Sequence, residues 1–407
     1  MSTPARIGLL GRGTVGGAFI GLLGDRAAAV ETATGRHPEI AGVLRRSDGD
    51  FEAILADSEI VVELIGGTDP ARDYVLRALG DGRHVVTANK QLIAQHGDEL
   101  FAAAREAGVQ LRFEAAVAGV VPVIRVIQES LAATRISKVF GIVNGTTNFI
   151  LTEMAHTGAS YADALARAQE LGYAEADPTE DVNGADAAAK MAILARLAFH
   201  SPVRLGDVAF EGIEEIQPED IAYAKELGLS LKLLGVAERV GDGLSVRVFP
   251  CFLYRGHPLA PVEGPFNAVM VEAPAITEIT MSGPGAGGVE TATAVLGDVV
   301  SILSGEAPVH EPSEQLEIVH DIASAFYLHL EVADRPGVLA SVAEVLGRNQ
   351  VSVRSVVQRG LGDEARLVMV MHEGPETRFR AALDEIAGLD FLRAKPRAIR
   401  VIEEEFV

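Results

Sequence analysis

The chain has 407 residues, which is enough for two or three domains with separate cores. Apolar residues make up 48% of it and argue against extensive disorder, while a formal net charge of −22 argues against nucleic acid or an anionic membrane surface as a partner. The single cysteine, Cys251, leaves no internal disulfide to form and favours a reducing, cytoplasmic location, and we expect neither a signal peptide nor a membrane-spanning segment.

The first part of the chain alternates short apolar runs with helical segments. The apolar runs that we interpret as strands are 6–10, 39–44, 59–65, 84–88 and 109–115. Short β-branched runs separated by helices are typical of a doubly wound parallel sheet. We therefore predict an α/β Rossmann domain over residues 1–133.

A glycine-rich segment, GRGTVG, follows the first predicted strand and opens a helix. Gly11 permits a tight turn, Gly13 allows backbone to approach a pyrophosphate, and Gly16 allows close packing of helix on strand. Thr14 and Val15 begin the helix, whose free N–H groups and dipole favour phosphate. Glycines also cluster in plain turns, but the strand–turn–helix context favours dinucleotide binding.

The second predicted strand ends in VLRRSDG, where the adenosine ribose of a dinucleotide would lie. An acidic residue is usual there in NAD-selective sites, whereas this chain has Arg45 and Arg46. Guanidinium groups suit a 2′-phosphate, so NADP is favoured over NAD. The alternative is that both arginines are solvated loop charges near Asp48.

The segment VVTANK ends the fourth predicted strand with Asn89 and Lys90. Ligands of such sheets bind beyond the carboxyl ends of the strands, so we expect Lys90 to face the nicotinamide half of the cofactor or the substrate. The alternative is an ordinary surface lysine at the start of a helix.

The next part of the chain has a different order of predicted elements, with a hairpin in place of alternating strands and helices. A long helix is predicted over 119–135, then a strand over 136–143, two helices, and a hairpin of strands 233–240 and 244–253 around Gly-Asp-Gly. Ser160 and Asp163 resemble a capping box at the start of one of these helices. We assign residues 134–283 to an α+β domain for substrate binding, catalysis and dimerisation.

One stretch of that domain, LGYAEADPTEDVNGADAAAK (171–190), is rich in acid and ends on a lysine. Its five carboxylates are Glu175, Asp177, Glu180, Asp181 and Asp186. Asp186 and Lys190 are four residues apart and share a helix face, which usually means a surface ion pair. The helix continues as apolar MAILARLAF, however, and a lysine on a mostly buried helix must be paired or functional. We predict a pocket whose carboxylates hold a substrate ammonium and whose lysine meets an oxygen.

The last 80 residues have the order βαββαβ, which predicts a ferredoxin-like module over 325–407 after an acidic linker at 313–324. Its first strand alternates apolar and polar residues from 326 to 332. The predicted apolar face of its first helix consists of Val338, Leu339, Val342, Val345 and Leu346.

Several of these segments together resemble the homoserine dehydrogenase family along essentially the whole chain. The segments are GRGTVG, VELIGGTDPA, VVTANK, FEAAVAG, GIVNGTTNFIL, LGYAEADPTEDVNGADAAAK, HPLAPVEGPFNAV and GPGAGG. The C-terminal module resembles an ACT domain, and the chain looks monofunctional, without a fused aspartokinase. The resemblance implies NAD(P)H-dependent reduction of aspartate semialdehyde to homoserine, a step of threonine, methionine and isoleucine biosynthesis.

The resemblance also implies roles for individual residues. Lys190 is expected to donate the proton, and Lys90 to lie beside the nicotinamide and the reacting carbonyl. Glu175 and Asp186 are expected to contact the substrate amino group, Asp181 to shape the site, Thr146 to line the same pocket, and Gly172 to bind the substrate. The GPGAGG segment, which includes Gly285, implies that residues 284–312 return to the dinucleotide-binding domain.

A monovalent cation, typically sodium, is a further implication of the resemblance. Its expected ligands are the carboxylate of Glu114 and the carbonyls of Val117, Gly119 and Val121. The family pattern has a second glycine where this chain has Val120. Carbonyl ligation tolerates any side chain unless that position requires a positive φ.

For the C-terminal module the resemblance implies feedback by an amino acid, with threonine as the leading candidate. We expect Asp334 and Gly337 of the DRPGVL loop, together with Asn349 and Ser352, to contact the ligand near a subunit interface of a homo-oligomer, either a dimer or a tetramer. The alternative is a module that only assists oligomerisation. Two alternatives to the enzyme also stay open: an amino-acid sensor with a vestigial dehydrogenase half, and a reductase of a related aldehyde.

Overall fold

The structure is a computed structural model that describes residues 3–46, 48–306, 314–361 and 363–402. Within these ranges no helix combines the length and the apolar character needed to cross a membrane. The chain forms a parallel sheet near its start and a larger mixed sheet that contains the remaining strands.

The first sheet is parallel throughout, in the strand order β2-β1-β3-β4-β5. Its strands and helices are β1 (Thr3–Leu10), α1 (Thr14–Thr34), β2 (Arg36–Leu44), α2 (Phe51–Ala56), β3 (Ile60–Glu63), α3 (Ala71–Gly80), β4 (His84–Thr87), α4 (Lys90–Ala107) and β5 (Leu111–Arg112). The predicted doubly wound parallel architecture is confirmed. β5 is shorter than predicted because a 3₁₀ turn, Glu114–Ala116, replaces its second half.

The predicted helix over 119–135 is wrong in its extent. Only α5 (Val123–Arg125) and a π-helical turn, Val126–Ser130, are helical there. Gly119 has a left-handed backbone with φ of 64°, and Pro122 disfavours the helical conformation of the residue before it, Val121. A helix is therefore disfavoured ahead of the proline, and α5 begins at Val123.

The second part of the chain contributes strands and helices to the mixed sheet and its cover. They are β6 (Lys138–Ile142), α6 (Gly145–Thr157), α7 (Tyr161–Glu170), α8 (Thr179–Val182), α9 (Ala185–Ala198), β7 (Ala209–Phe210), α10 (Pro218–Glu226), β8 (Leu229–Val240), β9 (Gly243–Tyr254), β10 (Phe266–Ala273) and β11 (Thr277–Pro284). The β8–β9 hairpin and the Ser160 cap of α7 are confirmed. In the fully described stretch between β6 and β8 there are five α-helices, not the predicted two, and one of the additional helices, α8, interrupts the acidic loop.

Helix α9 packs directly against β6, β8 and β9. Two strand glycines make this close approach possible, since a Cβ at Gly141 or Gly235 would press on the side chain of Met191. Nearly every residue of α9 is buried. The position of the helix relative to the sheet is therefore determined by core packing.

After β11 the chain enters α11 (Gly288–Leu303), which packs against α1 on one face of the parallel sheet. A Cβ on Gly288 would lie 3.0 Å from Cγ2 of Thr14, so the two helices touch near the glycine loop. Helices α3 and α4 cover the opposite face.

The C-terminal module consists of β12 (Ala323–Ala333), α12 (Val338–Arg348), β13 (Val353–Leu361), β14 (Glu364–Met371), β15 (Gly374–Pro375), α13 (Glu376–Ala387) and β16 (Arg397–Ile402). The predicted βαββαβ order is confirmed, with β15 as an added short strand. On α12 the apolar face is buried as predicted except for Leu339, which is 39% exposed because the stripe is narrower than the pattern suggested.

The sheet of this module is continuous with the preceding sheet. β16 pairs with β9 in parallel, so that among the described residues the order runs β11-β10-β6-β8-β9-β16-β12-β14-β13. The described part of the predicted linker, 314–324, also lies against β9, with the Leu244 N–H donating to the Glu317 carbonyl at 2.8 Å. Residues 307–313 lie outside the described ranges.

Candidate active site

Asp186 is the centre of a buried charge cluster. Its carboxylate accepts a hydrogen bond from Lys190 Nζ at 2.7 Å through Oδ2, and Lys90 Nζ contacts its other oxygen, Oδ1. The Asp186 side chain is 2% exposed, whereas those of Lys190 and Lys90 are 14% and 32% exposed. One shielded carboxylate therefore holds two ammonium groups that remain accessible to a ligand.

Local sequence explains how α9 presents two of these groups. Gly184 adopts a left-handed backbone, with φ of 90°, and Asn183 accepts a hydrogen bond from the Ala185 N–H group at 2.9 Å. Asp186 then lies in the first turn, where the helix dipole favours negative charge. Lys190 follows one turn later on the same face, as the four-residue spacing predicted.

Lys90 reaches Asp186 from the other side, at the carboxyl edge of the parallel sheet. It begins α4 directly after β4, and Asn89 caps that helix by accepting from the Leu92 N–H group at 3.1 Å. Thr87 donates its hydroxyl to Glu63 at 2.6 Å and accepts from the Asn89 N–H group at 3.0 Å. The interpretation of Lys90 as a plain surface lysine does not fit this placement.

Glu63 was missed by reasoning from the sequence. It is completely buried at the end of β3, and one oxygen accepts the N–H groups of Ile65 and Gly66 at 2.6 and 3.2 Å. It thus shapes the loop that follows β3 beside Lys90. An acidic residue inside the apolar run EIVVELI was the available signal.

Asn144 is a second residue that the sequence analysis missed. Its Nδ2 donates to Asp181 at 2.6 Å and to Asp186 at 2.8 Å, while its Oδ1 accepts from the Thr147 N–H group and caps α6. The neighbouring Val143 carbonyl accepts from Lys190 Nζ at 2.8 Å. The end of β6 therefore positions both the carboxylates and one lysine.

The electrostatics of the cluster follow from burial and pairing. Burial alone would raise the pKa of Asp186, but Lys190 and Lys90 outweigh it and hold that pKa well below its usual range. Burial lowers the pKa of Lys90, but the charge of Asp186 and its hydrogen bond to Lys90 outweigh this effect, so the pKa is raised. Burial and the charge of Asp186 raise the pKa of Asp181. At neutral pH the cluster thus retains an ionised Asp186 and a charged Lys90.

The five carboxylates of the acidic stretch do not converge, contrary to the prediction. Asp186 pairs with both lysines and Asp181 is joined to it through Asn144, whereas Glu180 acts on Lys90 through its charge alone. Asp177 accepts hydrogen bonds from the N–H and hydroxyl groups of Thr179, the first residue of α8, and Glu180 accepts from Gln91 at 3.3 Å. The stretch divides because its short helix α8 turns successive side chains in different directions.

Glu175 lies on the exposed loop between α7 and α8. Its carboxylate has no ion pair or hydrogen bond within the described chain, and its carbonyl accepts from Gln169. Thr146 donates its hydroxyl to the Tyr173 carbonyl at 2.7 Å and so joins α6 to the loop that contains Gly172, where φ is 78°. Glu175 and Gly172 thus lie on the loop between α7 and α8, which Thr146 ties to the first turn of α6.

The glycine loop has the geometry of a phosphate cradle. Gly11 has φ of 101°, and a Cβ there would lie 2.6 Å from the Leu64 carbonyl oxygen. A Cβ on Gly16 would overlap the Gly11 carbonyl, whereas the space beside Gly13 is open. Thr14 and Val15 form the first turn of α1 above this opening. The residues present therefore fit a dinucleotide pyrophosphate.

The two arginines lie at the adjacent edge of the sheet. Gly11 donates its N–H to the Leu44 carbonyl at 3.0 Å, which places the end of β2 beside the glycine loop. Arg45 and Arg46 follow directly and are both exposed. Arg45 also pairs with Asp48 through backbone hydrogen bonds.

The loop after β11 touches both the cofactor edge and the cluster. A Cβ on Gly119 would lie 2.6 Å from the carbonyl oxygens of Pro284 and Gly285, so these backbones are in close contact. Asn267, packed beside Gly285, donates to the Val143 carbonyl at 3.4 Å. Gly285 is thereby linked to the segment that holds Lys190.

The expected cation ligands lie on one tight segment. Glu114 is buried, which raises its pKa, and its two oxygens accept from the N–H groups of Ile124 and Arg125 at 2.8 and 2.9 Å. Positive φ values occur at Ala118 and Gly119 but not at Val120, so the valine is tolerated there. No group of three or more His, Cys, Asp or Glu side chains suited to a metal occurs in the described ranges.

The predicted regulatory residues separate into two places. Gly337, with φ of 95°, begins α12 near Asp334, whereas Asn349 ends that helix and Ser352 follows it. A helix of this length spans about 16 Å. Asn349 donates its amide to Glu385 at 2.9 Å. Within one chain these four residues do not form a single pocket.

The parallel sheet, its glycine loop and the paired lysines at its carboxyl edge define an oxidoreductase of the nicotinamide-dinucleotide class. Models of known families match this chain as follows: homoserine dehydrogenase at 122–300, the homoserine dehydrogenase NAD-binding domain at 11–114, and the ACT domain at 326–391. The chain belongs to the homoserine dehydrogenase family, which confirms the resemblance seen in its sequence.

Individual relatives agree over nearly the whole length. Homoserine dehydrogenases of Neisseria gonorrhoeae and Mycobacterium tuberculosis are 38% and 41% identical, each alignment covering 98% of this chain and 98% of the relative. The crystal structure of a homoserine dehydrogenase from Thiobacillus denitrificans has a TM-score of 0.93 at 38% identity and covers 98% of this chain and 99% of that one. A hyperthermophilic archaeal homoserine dehydrogenase in complex with NADPH covers 76% of this chain and 100% of its own, with a TM-score of 0.65 at 27% identity.

Proposed function

We propose that the chain reduces L-aspartate 4-semialdehyde to L-homoserine with NADPH, using Lys190 as proton donor. The observation that carries this assignment is the contact of Lys90 and Lys190 with opposite oxygens of Asp186, at the carboxyl edge of the parallel sheet. Substrates of such sheets bind at that edge. Two ammonium groups held there suit a carbonyl oxygen that gains negative charge.

The bound dinucleotide supplies a hydride for the aldehyde carbon. Lys190 then gives a proton to the developing alkoxide, and general acid catalysis of this kind contributes about 10²–10⁴-fold in rate. Asp186 holds both ammonium groups in position and is itself fully engaged by them and by Asn144. We assign the substrate ammonium to Glu175 and Asp181 in place of the expected Glu175 and Asp186, because Asp186 is engaged by both lysines whereas neither of the other two carboxylates is bonded to a lysine.

For the cofactor, Arg45 and Arg46 support a preference for NADP over NAD, since both are exposed beside the glycine loop and match a 2′-phosphate. The archaeal relative whose structure contains NADPH supports the same choice. Gly11, Gly13 and the first turn of α1 would hold the pyrophosphate.

A monovalent cation such as sodium would be held by Glu114 and by the carbonyls of Val117, Gly119 and Val121. A buried carboxylate supports this, because its charge is otherwise balanced mainly by two N–H groups and nearby arginines. The cation would stiffen the turn that contacts Gly285.

The reaction is tested by following NADPH oxidation with L-aspartate 4-semialdehyde and, in parallel, with glutamate 5-semialdehyde and succinate semialdehyde. Rapid turnover of the first substrate alone is expected. Absence of turnover with all three would favour a sensor with a vestigial dehydrogenase half. Preference for another aldehyde would show that the chain is an NADPH-dependent aldehyde reductase but that the proposed substrate is incorrect.

We further propose that the C-terminal module senses L-threonine in a homo-oligomer. The free N–H groups of α12 after Gly337 support carboxylate binding. Because Asn349 and Ser352 lie at the far end of α12, a second copy would have to bring them to the loop of the first. Inhibition by millimolar threonine that is lost in Gly337→Val, with the oligomer retained, is expected. If the intact enzyme ignores threonine, the module has only a role in assembly.

A further inference from the structure

A cavity of about 230 Å³ opens between the helices α6 and α10 and the first part of β8. Strand β6 pairs with β8 only from Gly235 to Glu238, so residues 229–232 of β8 border the cavity instead of a neighbouring strand on that side. Leu151, Ile221 and Ala260 give the cavity apolar walls. Its volume far exceeds the space that one water needs but is below the about 300–1,000 Å³ of sites for drug-sized ligands, so a smaller ligand fits.

The cavity is separate from the sites already described. The part of α6 that lines it, residues 151–156, is about 10–18 Å further along that helix than Asn144, which holds Asp181 and Asp186. All of the described lining residues fall between 151 and 263. They are therefore outside both the glycine loop and the C-terminal module.

Lys232 of β8 is the most deeply buried charged group of this cavity. It is 4% exposed, and its Nζ donates to the Val262 carbonyl. Within the described ranges no carboxylate forms an ion pair with it, although the charge of Glu263 acts on it from farther away. Burial outweighs that charge and lowers the pKa of Lys232 to about 8. A buried ammonium with a single carbonyl partner is unfavourable, which favours an anion beside it.

Two further cations line the same cavity. Lys225 on α10 and Arg255 in the loop after β9 are both exposed, and neither side chain forms an ion pair or a hydrogen bond with the described part of the chain. Glu263 is the one carboxylate among the described lining residues, and His156 Nε2 lies 3.2 Å from it. The cavity thus has an excess of two positive charges in a protein whose net charge is −22. Such a local excess attracts anions.

We propose that this cavity binds a phosphate group, either as free inorganic phosphate or as the monoester of a small alcohol. A phosphate carries a charge of about −1.5 to −2 at neutral pH, which matches the local excess, whereas one carboxylate would compensate only half of it. Ammonium and guanidinium groups are the usual partners of phosphate oxygens. Ser230 adds a hydroxyl donor to the same lining. The apolar walls leave room for the few carbons of an ester.

A phosphate held by these cations would connect three separate parts of the fold. Lys225 belongs to α10, Lys232 to β8, and Arg255 to the loop after β9. A ligand that binds only the folded protein stabilises it, so its binding raises the unfolding temperature. The site can therefore be measured without any assay of turnover, and its test does not depend on the proposed reaction.

Calorimetric titration and thermal unfolding of the full-length protein test the site, with NADP at saturation to occupy the glycine loop. The probes are inorganic phosphate and glycerol 3-phosphate, with glycerol as the uncharged control and potassium chloride at equal ionic strength as the control for screening. At least one phosphate compound should bind with a Kd below about 1 mM and raise Tm, while both controls should not. Glycerol 3-phosphate that binds about threefold or more tighter than inorganic phosphate identifies an ester as the ligand, and otherwise free phosphate is the ligand. Absence of saturable binding of both compounds up to about 10 mM would overturn the proposal.

Variants of the three cations locate the binding. Lys225→Gln combined with Arg255→Gln removes two exposed charges without breaking a described ion pair, and it should weaken phosphate binding about 10- to 100-fold. Lys232→Met, which removes the buried charge, should have a similar effect. Lys395→Gln, at an exposed lysine of the C-terminal module, is the matched control and should bind phosphate normally. Tm without phosphate is recorded for each variant, so that a folding defect is recognised.

The cofactor site provides the competing explanation, because it also has arginines suited to phosphate. Joint replacement of Arg45 and Arg46 by alanine should leave the binding of both phosphate probes unchanged. If this variant loses phosphate binding while the Lys225 and Arg255 double variant binds as wild type, the ion belongs to the cofactor site and the proposal is wrong.

Discussion

Lys90 and Lys190 share one carboxylate but have different surroundings. Lys190 is the less exposed of the two and is also held by the Val143 carbonyl, whereas Lys90 begins a helix at the sheet edge. A donor that is fixed on two sides can meet a substrate oxygen with little reorganisation. These contacts support Lys190 as the proton donor.

Replacement of Lys190 should reduce the rate of the chemical step without changing cofactor affinity. Lys190→Ala is expected to lower kcat by about 10²–10⁴-fold because it removes the general acid. NADPH affinity, measured by fluorescence titration, should change little, since the glycine loop is untouched. Lys395→Ala, which removes an exposed lysine, serves as the control. A fall in kcat of less than about tenfold would mean that another group donates the proton.

Arg45 and Arg46 make a second prediction about single residues. Their joint replacement by alanine should raise KM for NADPH by about tenfold or more and leave KM for NADH nearly constant, because only NADPH has a 2′-phosphate to lose. Steady-state assays with both cofactors measure this. Arg26→Ala, an exposed arginine of α1, is the control. Equal changes in both constants would make these arginines ordinary loop charges.

Among the secondary-structure elements, α9 is the one that carries the chemistry, and two glycines decide how close it lies to the sheet. Gly141 on β6 and Gly235 on β8 leave room for the side chain of Met191, the residue that directly follows Lys190 in α9. Packing of the helix core thus determines where its polar face emerges.

Gly235→Ala should test this coupling between packing and catalysis. The added methyl group overlaps the Met191 side chain, so we expect a loss of about 1–3 kcal/mol in unfolding free energy together with a lower kcat. In a Met191→Ala background the same change should be much less harmful. Gly24→Ala, at a helix position with open space, should be neutral or slightly stabilising. Equal costs in both backgrounds would show that the glycine serves another purpose.

On the scale of the whole molecule, the C-terminal module is joined to the rest by more than sheet pairing. Asp220 of α10 is 1% exposed and accepts hydrogen bonds from Tyr327 at 3.3 Å and Arg397 at 2.9 Å. His329 Nδ1 lies 2.6 Å from the same carboxylate. This buried network connects α10 to β12 and β16.

Asp220→Ala should therefore destabilise the molecule as a unit. Removing one partner from a buried charged network costs about 3–5 kcal/mol, because the remaining groups stay buried without compensation. Urea unfolding would measure this loss. Glu226→Gln, which breaks an exposed pair with Arg359, should cost less than about 1 kcal/mol. A small effect of Asp220→Ala would imply that the module is only loosely attached.

Short-range patterns in the sequence were sufficient for the parallel sheet, the glycine loop and the βαββαβ order. They also identified Asp186 and Lys190 as partners, because residues four apart on a helix must share a face. In each case the relevant neighbours are close in the chain or follow the period of one element. A sequence pattern therefore predicts a contact correctly when the interacting residues lie on the same element or on neighbouring elements of the chain.

Tertiary structure alone decided the rest. Lys90 meets Asp186, Asn144 joins the two aspartates, and β16 pairs with β9, although these partners are far apart in the chain. Glu63 lies inside an apolar run, and only its N–H and hydroxyl partners reveal its role. Contacts of this kind depend on how the sheets and helices pack and on which loops lie side by side. The spacing of residues along the chain does not determine that geometry.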